Sequence, residues 1–241
     1  MGVGQGHRNL PLIQVEDVTK VYGGRGRENE VRALDGVSLS IGRGEWVAVI
    51  GKSGSGKSTL MNLLGCLDTP SSGNYRLEGQ DVSSLSDAQL SHIRNQKIGF
   101  VFQGYNLIPG ISALENVEMP LFYRGLSRPL RQERAREALI NVGLGDRLSH
   151  TPAQMSGGQQ QRVAIARAIC QDPAIILADE PTGNLDTGSG REVMAILKGL
   201  STQGRTLVLI THDLEIAKNA GRIIRIADGK ISSDYVNMPA S

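Results

Sequence analysis

Cysteine is scarce in this chain: its 241 residues include only Cys66 and Cys170. The two stand far apart with no metal-type spacing, which excludes a disulfide scaffold or a zinc module and predicts two reduced, buried thiols in a cytosolic protein. Neither sign of charge dominates, with 26 Lys+Arg against 24 Asp+Glu and a net charge of +2. So small an excess gives no reason to expect nucleic acid as a partner. Long apolar runs are also missing. Stretches such as Trp46–Ile50 and Leu207–Ile210 fall far short of the ~18 residues needed to span a bilayer. The first residues, Met1 to His7, lack the apolar core of a signal peptide, and Gly6 stands where a myristoylation motif needs Ser or Thr, so no leader or anchor is expected. What remains is ordinary for a globular chain: 39% hydrophobic residues and a length suited to one large domain or a core with an insertion.

Short β-branched runs alternate with helical patterns, the mark of an α/β domain with a largely parallel sheet. Four runs read as buried strands: Trp46–Ile50, Ile98–Phe102, Ala174–Ala178 and Thr206–Ile210. Each is followed by polar residues, so the chemistry is expected at the strand C-termini. Before them, Leu12–Val18 and Val37–Ile41 alternate apolar with polar residues and predict an antiparallel hairpin around a mobile Gly/Arg-rich loop, Gly23 to Arg27. From residue 104 to 155 the pattern turns helical, punctuated by Pro109, Pro120, Pro129 and Pro152, and predicts an inserted helical subdomain. Its first helix opens with the capping box Ser112-Ala113-Leu114-Glu115. Its second carries Arg131, Arg134 and Arg136 among Glu133 and Glu137, expected to form a solvated face, with anionic headgroups or an acidic partner as the other reading.

Directly after the strand Trp46–Ile50 comes Gly51-Lys52-Ser53-Gly54-Ser55-Gly56-Lys57-Ser58, then the helical stretch that starts at Thr59. This is a Walker A loop in its proper strand–loop–helix context. Glycines let the backbone curl around phosphate oxygens and aim N–H groups inward, and the helix N-terminus adds about half a positive charge. Lys57 is expected on the β- and γ-phosphates of ATP and the Ser58 hydroxyl on Mg²⁺. A second strand, Ile175 to Ala178, runs into Asp179 and Glu180 and should deliver both carboxylates to the same crevice. Asp179 is then placed to hold Mg²⁺, and Glu180 to act as general base on the attacking water.

Just before that strand, Met155-Ser156-Gly157-Gly158-Gln159-Gln160-Gln161-Arg162 resembles the signature of the ATP-binding cassette (ABC) ATPases. Physically, Ser156 caps a helix, Gln159 completes the box, and the two glycines admit a phosphate to backbone donors at the positive helix end. The resemblance covers essentially the whole chain and implies further roles: Gln103 as the Q-loop residue and a magnesium contact, Asn184-Leu185-Asp186 as the D-loop, and His212 as the switch histidine on the γ-phosphate. Tyr22 matches the aromatic on which the family stacks adenine; its alternative is a strand tyrosine packed on the sheet. Met155 and Asn184 depart from the commoner Leu and Ala at their positions, without loss of a proton donor or charge.

Together these readings predict a single domain over residues 1–241 with a P-loop NTPase (RecA-like) core, an N-terminal antiparallel β subdomain and the helical insertion. In this family the signature of one cassette closes over ATP held by another, so the resemblance implies a homodimer or a paired cassette. The segment from Gln103 to Val117, with Gln159-Gln160-Gln161-Arg162 and Gly183-Asn184-Leu185-Asp186, is similar to the macrolide-export and lipoprotein-release type. That likeness implies an ATPase on the cytoplasmic face of the cell membrane, driving a separate integral-membrane permease for export or lipoprotein extraction, with a periplasmic adaptor left open. A regulatory cassette on a cell-envelope or division permease is the alternative, and a soluble clamp on DNA or ribosomes is disfavoured. Tyr105, Leu107, Ile108 and Leu114 are expected to form either a groove for a permease helix or helical core.

Overall fold

The computed structural model describes residues 10–23 and 30–237. The readings on residues 1–7 and on residues 24–27 of the Gly/Arg loop lie outside the described residues.

Strands β1 (Ile13–Tyr22) and β2 (Val31–Ile41) form the expected antiparallel hairpin, with Ile13 opposite Ile41, Val15 opposite Leu39 and Val18 opposite Val37. After β3 (Trp46–Ile50) and helix α1 (Lys57–Leu64), strands β4 (Ser72–Leu77) and β5 (Gln80–Asp81) extend that hairpin into a four-stranded sheet of order β2-β1-β4-β5. Helix α2 (Asp87–Lys97) then leads into β6 (Ile98–Val101). Helices α3 (Ala113–Tyr123) and α4 (Arg128–Asn141), a single 3₁₀ turn at Pro152–Gln154 and α5 (Gly157–Ile169) follow. The chain closes with β7 (Ile175–Asp179), α6 (Thr187–Thr202), β8 (Thr206–Thr211), α7 (Leu214–Ala217), β9 (Arg222–Ala227) and β10 (Lys230–Val236). Between Val101 and Ile175 no strand occurs among the described residues, as the helical pattern predicts.

The second sheet has the order β10-β9-β3-β8-β7-β6. Its five neighbours from β9 to β6 are parallel, and only β10 pairs antiparallel. Period-two alternation explains its central position, because the strands are apolar on both faces. Ala48, Ile50, Ile176, Ala178, Leu207 and Leu209 face one buried cluster with helices α3 to α6. Val47, Val49, Ile175, Leu177, Val208 and Ile210 face a second cluster with α1 and the antiparallel sheet. Register then sets the site. Ile50 pairs with Thr211, and Asp179 with Ile210, so Gly51, Glu180 and His212 emerge together at one edge.

The box predicted at Ser112 is present: the Ser112 hydroxyl accepts from the Glu115 N–H at 3.2 Å, and Glu115 accepts from the Ser112 N–H at 2.7 Å. On α4 the structure divides the expected solvated face. Glu133, Arg136 and Glu137 are exposed, whereas Arg131 turns onto α3 and pairs with the buried Glu118 at 2.8 Å. Among the described residues no helix is long and apolar enough to cross a membrane.

Candidate functional site

The loop between β3 and α1 owes its shape to two glycines. A Cβ on Gly51 would lie 2.4 Å from the Ile226 carbonyl oxygen. Gly56, at φ 105°, holds a left-handed conformation that L side chains rarely adopt, and a Cβ there would meet the Ala33 carbonyl at 2.5 Å. Gly56 also takes the N-cap position of α1 without a side-chain cap, and no acidic residue stands in the first turn. The helix therefore offers its first N–H groups and positive end to an outside anion.

Around this loop lies a cleft of about 670 Å³, lined by Gly51, Lys52, Ser53, Lys57, Ser58, Gln103, Asp179, Glu180 and His212, with Ile210, Leu214 and Arg225 completing its wall. Gly51 and His212, 161 positions apart in the sequence, are thus gathered into one site, with Gly54, Ser55 and Gly56 forming the rest of the loop. Lys57 Nζ donates to the carbonyls of Gly51 at 2.7 Å and Lys52 at 2.9 Å, which holds its charge over the loop. Burial first, and then the charge of Glu180, push the Asp179 carboxyl above its ordinary range, with Lys57 opposing. A divalent cation there would relieve that penalty. One carboxylate, the Ser58 hydroxyl and the Gln103 amide form an all-oxygen set too sparse to hold a bare ion, and it fits Mg²⁺ carried with phosphate oxygens and water. No cluster of three His, Cys, Asp or Glu able to hold a metal occurs among the described residues.

Glu180 sits at φ 43°, a left-handed conformation that costs a non-glycine residue roughly 1–2 kcal/mol. Its backbone N–H donates to the Ile210 carbonyl at 2.9 Å. Its side chain is enclosed by donors: Oε1 takes the His212 N–H at 2.8 Å and meets His212 Nδ1 at 2.6 Å, and Oε2 accepts from Thr211 Oγ1 at 3.0 Å. Thr211 had no role in the sequence reading, although it directly precedes the histidine.

Other expected residues lie outside the cleft. Tyr22 is 40% exposed on β1; its hydroxyl donates to Asp68 at 2.9 Å, and Lys20 Nζ sits 5.1 Å from its ring centroid. Burial and the Asp68 carboxylate raise its pKa, and Thr59, the first residue after the phosphate loop, lies beside it. Ser156, Gly157, Gly158 and Gln159 do not line the cleft and instead begin α5, with Gln159 N–H donating to Ser156 Oγ at 3.3 Å. Asn184 reaches Gln103 through two hydrogen bonds of 3.1 Å. Leu185 lies against Gly157, and Asp186 caps α6 by accepting from the N–H groups of Gly188 and Ser189.

A second, apolar cleft of about 760 Å³ opens between α2, β6 and α3, with Leu67, Phe100, Phe102, Met119, Pro120 and Tyr123 in its wall. It is not built from the expected groove residues. Leu107 and Leu114 pack on the core, Tyr105 lies against Gly157, and Ile108 is pinned by Asn116, whose Oδ1 accepts from the Ile108 N–H at 2.7 Å.

A glycine loop between a buried strand and an open helix N-terminus, facing an acid pair from a strand of the same sheet, defines a P-loop NTPase. A family model for the ABC transporter matches residues 34–183. A macrolide export ATP-binding/permease protein of Hyphomonas neptunium is 54% identical over 231 residues, covering 96% of this chain and 36% of that protein. A pyoverdine export ATP-binding/permease protein of Pseudomonas aeruginosa is 56% identical over 228 residues, covering 95% and 34%. This chain thus spans about a third of the length of those two export proteins. An uncharacterized ABC transporter ATP-binding protein of Thermotoga maritima is 54% identical over 220 residues, covering 91% and 93%. The solved dimeric structure of an ATP-binding cassette in a post-hydrolysis state, bound to ADP and Pi, superposes with a TM-score of 0.85 at 44% identity, covering 94% of this chain and 99% of that one. The chain belongs to the ABC transporter family and is an ATPase of its cassette type.

Proposed function

We propose that two copies of this cassette close head to tail around two ATP molecules and drive a separate membrane permease of the macrolide-export and lipoprotein-release type. One observation carries the reading: the phosphate cleft gathers the Walker residues, Gln103, Glu180 and His212, while the anion-ready N-terminus of α5 at Ser156 lies outside it. The site is half of a composite, and a second copy in antiparallel orientation supplies the other half.

In that arrangement the loop from Gly51 to Thr59 cradles the phosphates, and Lys57 leaves the Gly51 and Lys52 carbonyls to reach the β- and γ-oxygens. Ser58, Gln103 and Asp179 would hold Mg²⁺, which would supply charge neutralisation on the phosphates. Glu180 takes a proton from the attacking water, worth about 10²–10⁴ in rate. His212 orients that carboxylate and faces the γ-phosphate, and Tyr22 offers its open ring face to adenine. From the partner, Ser156 to Gln159 close on the γ-phosphate, with Asn184, Leu185 and Asp186 beside them. Loss of the γ-phosphate removes the contact that favours the closed state, so the dimer opens.

The apolar cleft beside α3 supports a permease partner, because its Phe100, Phe102, Met119 and Tyr123 wall suits the apolar face of a short helix. Export is favoured over a purely regulatory role by the likeness to the macrolide and pyoverdine export proteins. Residues 104–155 act as the helical subdomain that leads into the signature, and the working place is the cytoplasmic face of the membrane.

Glu180→Gln tests the core of this reading. The amide keeps the carboxylate's shape and loses its basicity, so turnover should fall at least about 100-fold while Mg-ATP converts monomer to a stable dimer in light scattering. A variant that stays monomeric with saturating ATP overturns the shared site.

A further inference from the structure

We propose that Thr211 is a positioning residue that selects Oε2 of Glu180 as the atom that accepts the water proton. The inference rests on Glu180 being the general base, and goes beyond it by assigning the reacting oxygen and the group that sets it.

The argument is one of lone pairs. A carboxylate oxygen accepts about two hydrogen bonds in its plane. Oε1 already has two partners, the His212 N–H at 2.8 Å and His212 Nδ1 at 2.6 Å. Oε2 has one, the Thr211 hydroxyl at 3.0 Å, and so keeps one acceptor position free on a residue that lines the cleft. The direction of the Thr211 proton is also fixed. Its Oγ1 accepts from the Asp213 N–H at 3.0 Å, which leaves the hydroxyl hydrogen for Glu180. Thr211 is only 1% exposed, at the end of β8, so its side chain is immobilised by packing.

Backbone geometry makes the arrangement rigid. Asp179 pairs with Ile210, which places Glu180 beside Thr211, and the left-handed turn at Glu180 folds its side chain back over that neighbour. Without the hydroxyl, the carboxylate can pivot about its His212 contacts. A displacement near 1 Å at a reacting atom is enough to cost about 100-fold in rate.

The test is steady-state ATPase kinetics on the full chain, with Mg-ATP binding measured in parallel. Thr211→Val keeps the branched shape and removes the hydroxyl, and the exposed Asp213 N–H can turn to water. The expected result is a kcat lower by about 10- to 100-fold with KM and nucleotide affinity within about twofold, and recovery to within about threefold in Thr211→Ser. Thr211→Ala against Thr211→Ser repeats the comparison with a smaller side chain that cannot clash, should the valine variant fold poorly. Undiminished kcat in the hydroxyl-free variants overturns the proposal, as does a serine variant as slow as alanine. A rise in KM equal to the fall in kcat/KM also overturns it, since that pattern marks lost binding. If Glu180→Gln itself retains turnover, the base assignment fails first; if it is inactive while Thr211→Val is not, only the role of Thr211 falls.

Discussion

Replacing Ser156 by Arg separates what one chain does alone from what two do together. Ser156 caps α5, and Gln159 Oε1 returns the contact by accepting from the Ser156 N–H at 3.0 Å. Losing this box costs about 1 kcal/mol, or roughly 2–4 °C in melting temperature for a chain of this size. None of residues 156–159 lines the phosphate cleft, so nucleotide affinity of the isolated subunit should stay within about twofold of wild type. Turnover should respond differently. In the proposed shared site a long side chain at the start of α5 would obstruct the donors facing the opposite subunit's γ-phosphate, and removing even one preorganised donor costs about 10²–10³ in kcat. Fluorescent-nucleotide titration, thermal melting and phosphate release measure the three effects on one sample. Mixing with Lys57→Ala sharpens the result. Random pairing makes about half of the dimers mixed, each with one complete site and one doubly damaged, so roughly a quarter of wild-type sites should return from two inactive parents. A Ser156→Arg protein with normal turnover, or a mixture no better than its parents, refutes the reasoning.

Two further outcomes follow from groups at and beside the site. Arg131→Ala leaves the Glu118 carboxylate, only 7% exposed, without its partner, and should destabilise the protein by about 3 kcal/mol in urea denaturation against less than about 0.5 for the exposed Arg136→Ala; equal effects would return Arg131 to a solvated face. Asp179→Asn should raise the melting temperature of nucleotide-free protein in EDTA at pH 7, because the folded pKa of Asp179 is raised above its unfolded value, so ionisation carries a cost that builds as pH climbs from the unfolded value to the folded one; the gain should vanish as pH falls well below 3.8, where Asp179 is protonated in both states, and a variant that melts lower at pH 7 contradicts the assignment.

The sequence disclosed the site more fully than the scaffold around it. Walker residues, acids and histidine are legible because each follows a short strand apolar on both faces, and such strands can only be central. Strands β4 and β5 were missed because Ser72–Leu77 buries only Tyr75 and Leu77, a fragment of alternation too brief to stand out. Helix α2 was missed for a similar reason, since only Leu90 and Ile93 are buried in eleven mostly polar residues; the Ser86/Gln89 capping box was its available signal. Arg131 was misread because local spacing reports charge pattern and not the neighbour across a helix pair, and only the fold brings Glu118 opposite. Thr211 escaped notice for a different reason: a threonine at a strand end is ordinary β composition, and its function exists only in the register that sets it beside Glu180.

One helix links the apolar cleft to the segment that begins at Ser156. α5 has 13 residues and is about 20 Å long; Ser156 caps its start, and near its end Arg167 donates to the main-chain carbonyls of Tyr105 at 2.8 Å and of Asn106. Both of those residues are in left-handed conformations, at φ 59° and 51°, which non-glycine residues keep only when held by their surroundings. The Tyr105 side chain returns to the other end of the same helix, where a Cβ on Gly157 would lie 2.8 Å from its hydroxyl oxygen. The segment after Gln103 is therefore fastened at both ends of α5, and Asn106 with Arg167 also lines the apolar cleft. Close-packed interiors transmit displacement because they compress little. A shift of this segment at the cleft would be passed through these contacts to α5, and so to the N–H groups at Ser156. Gln103, tied by two hydrogen bonds to Asn184, extends this connected set of contacts to the phosphate cleft, the route by which nucleotide binding would reach the apolar cleft in the proposed complex.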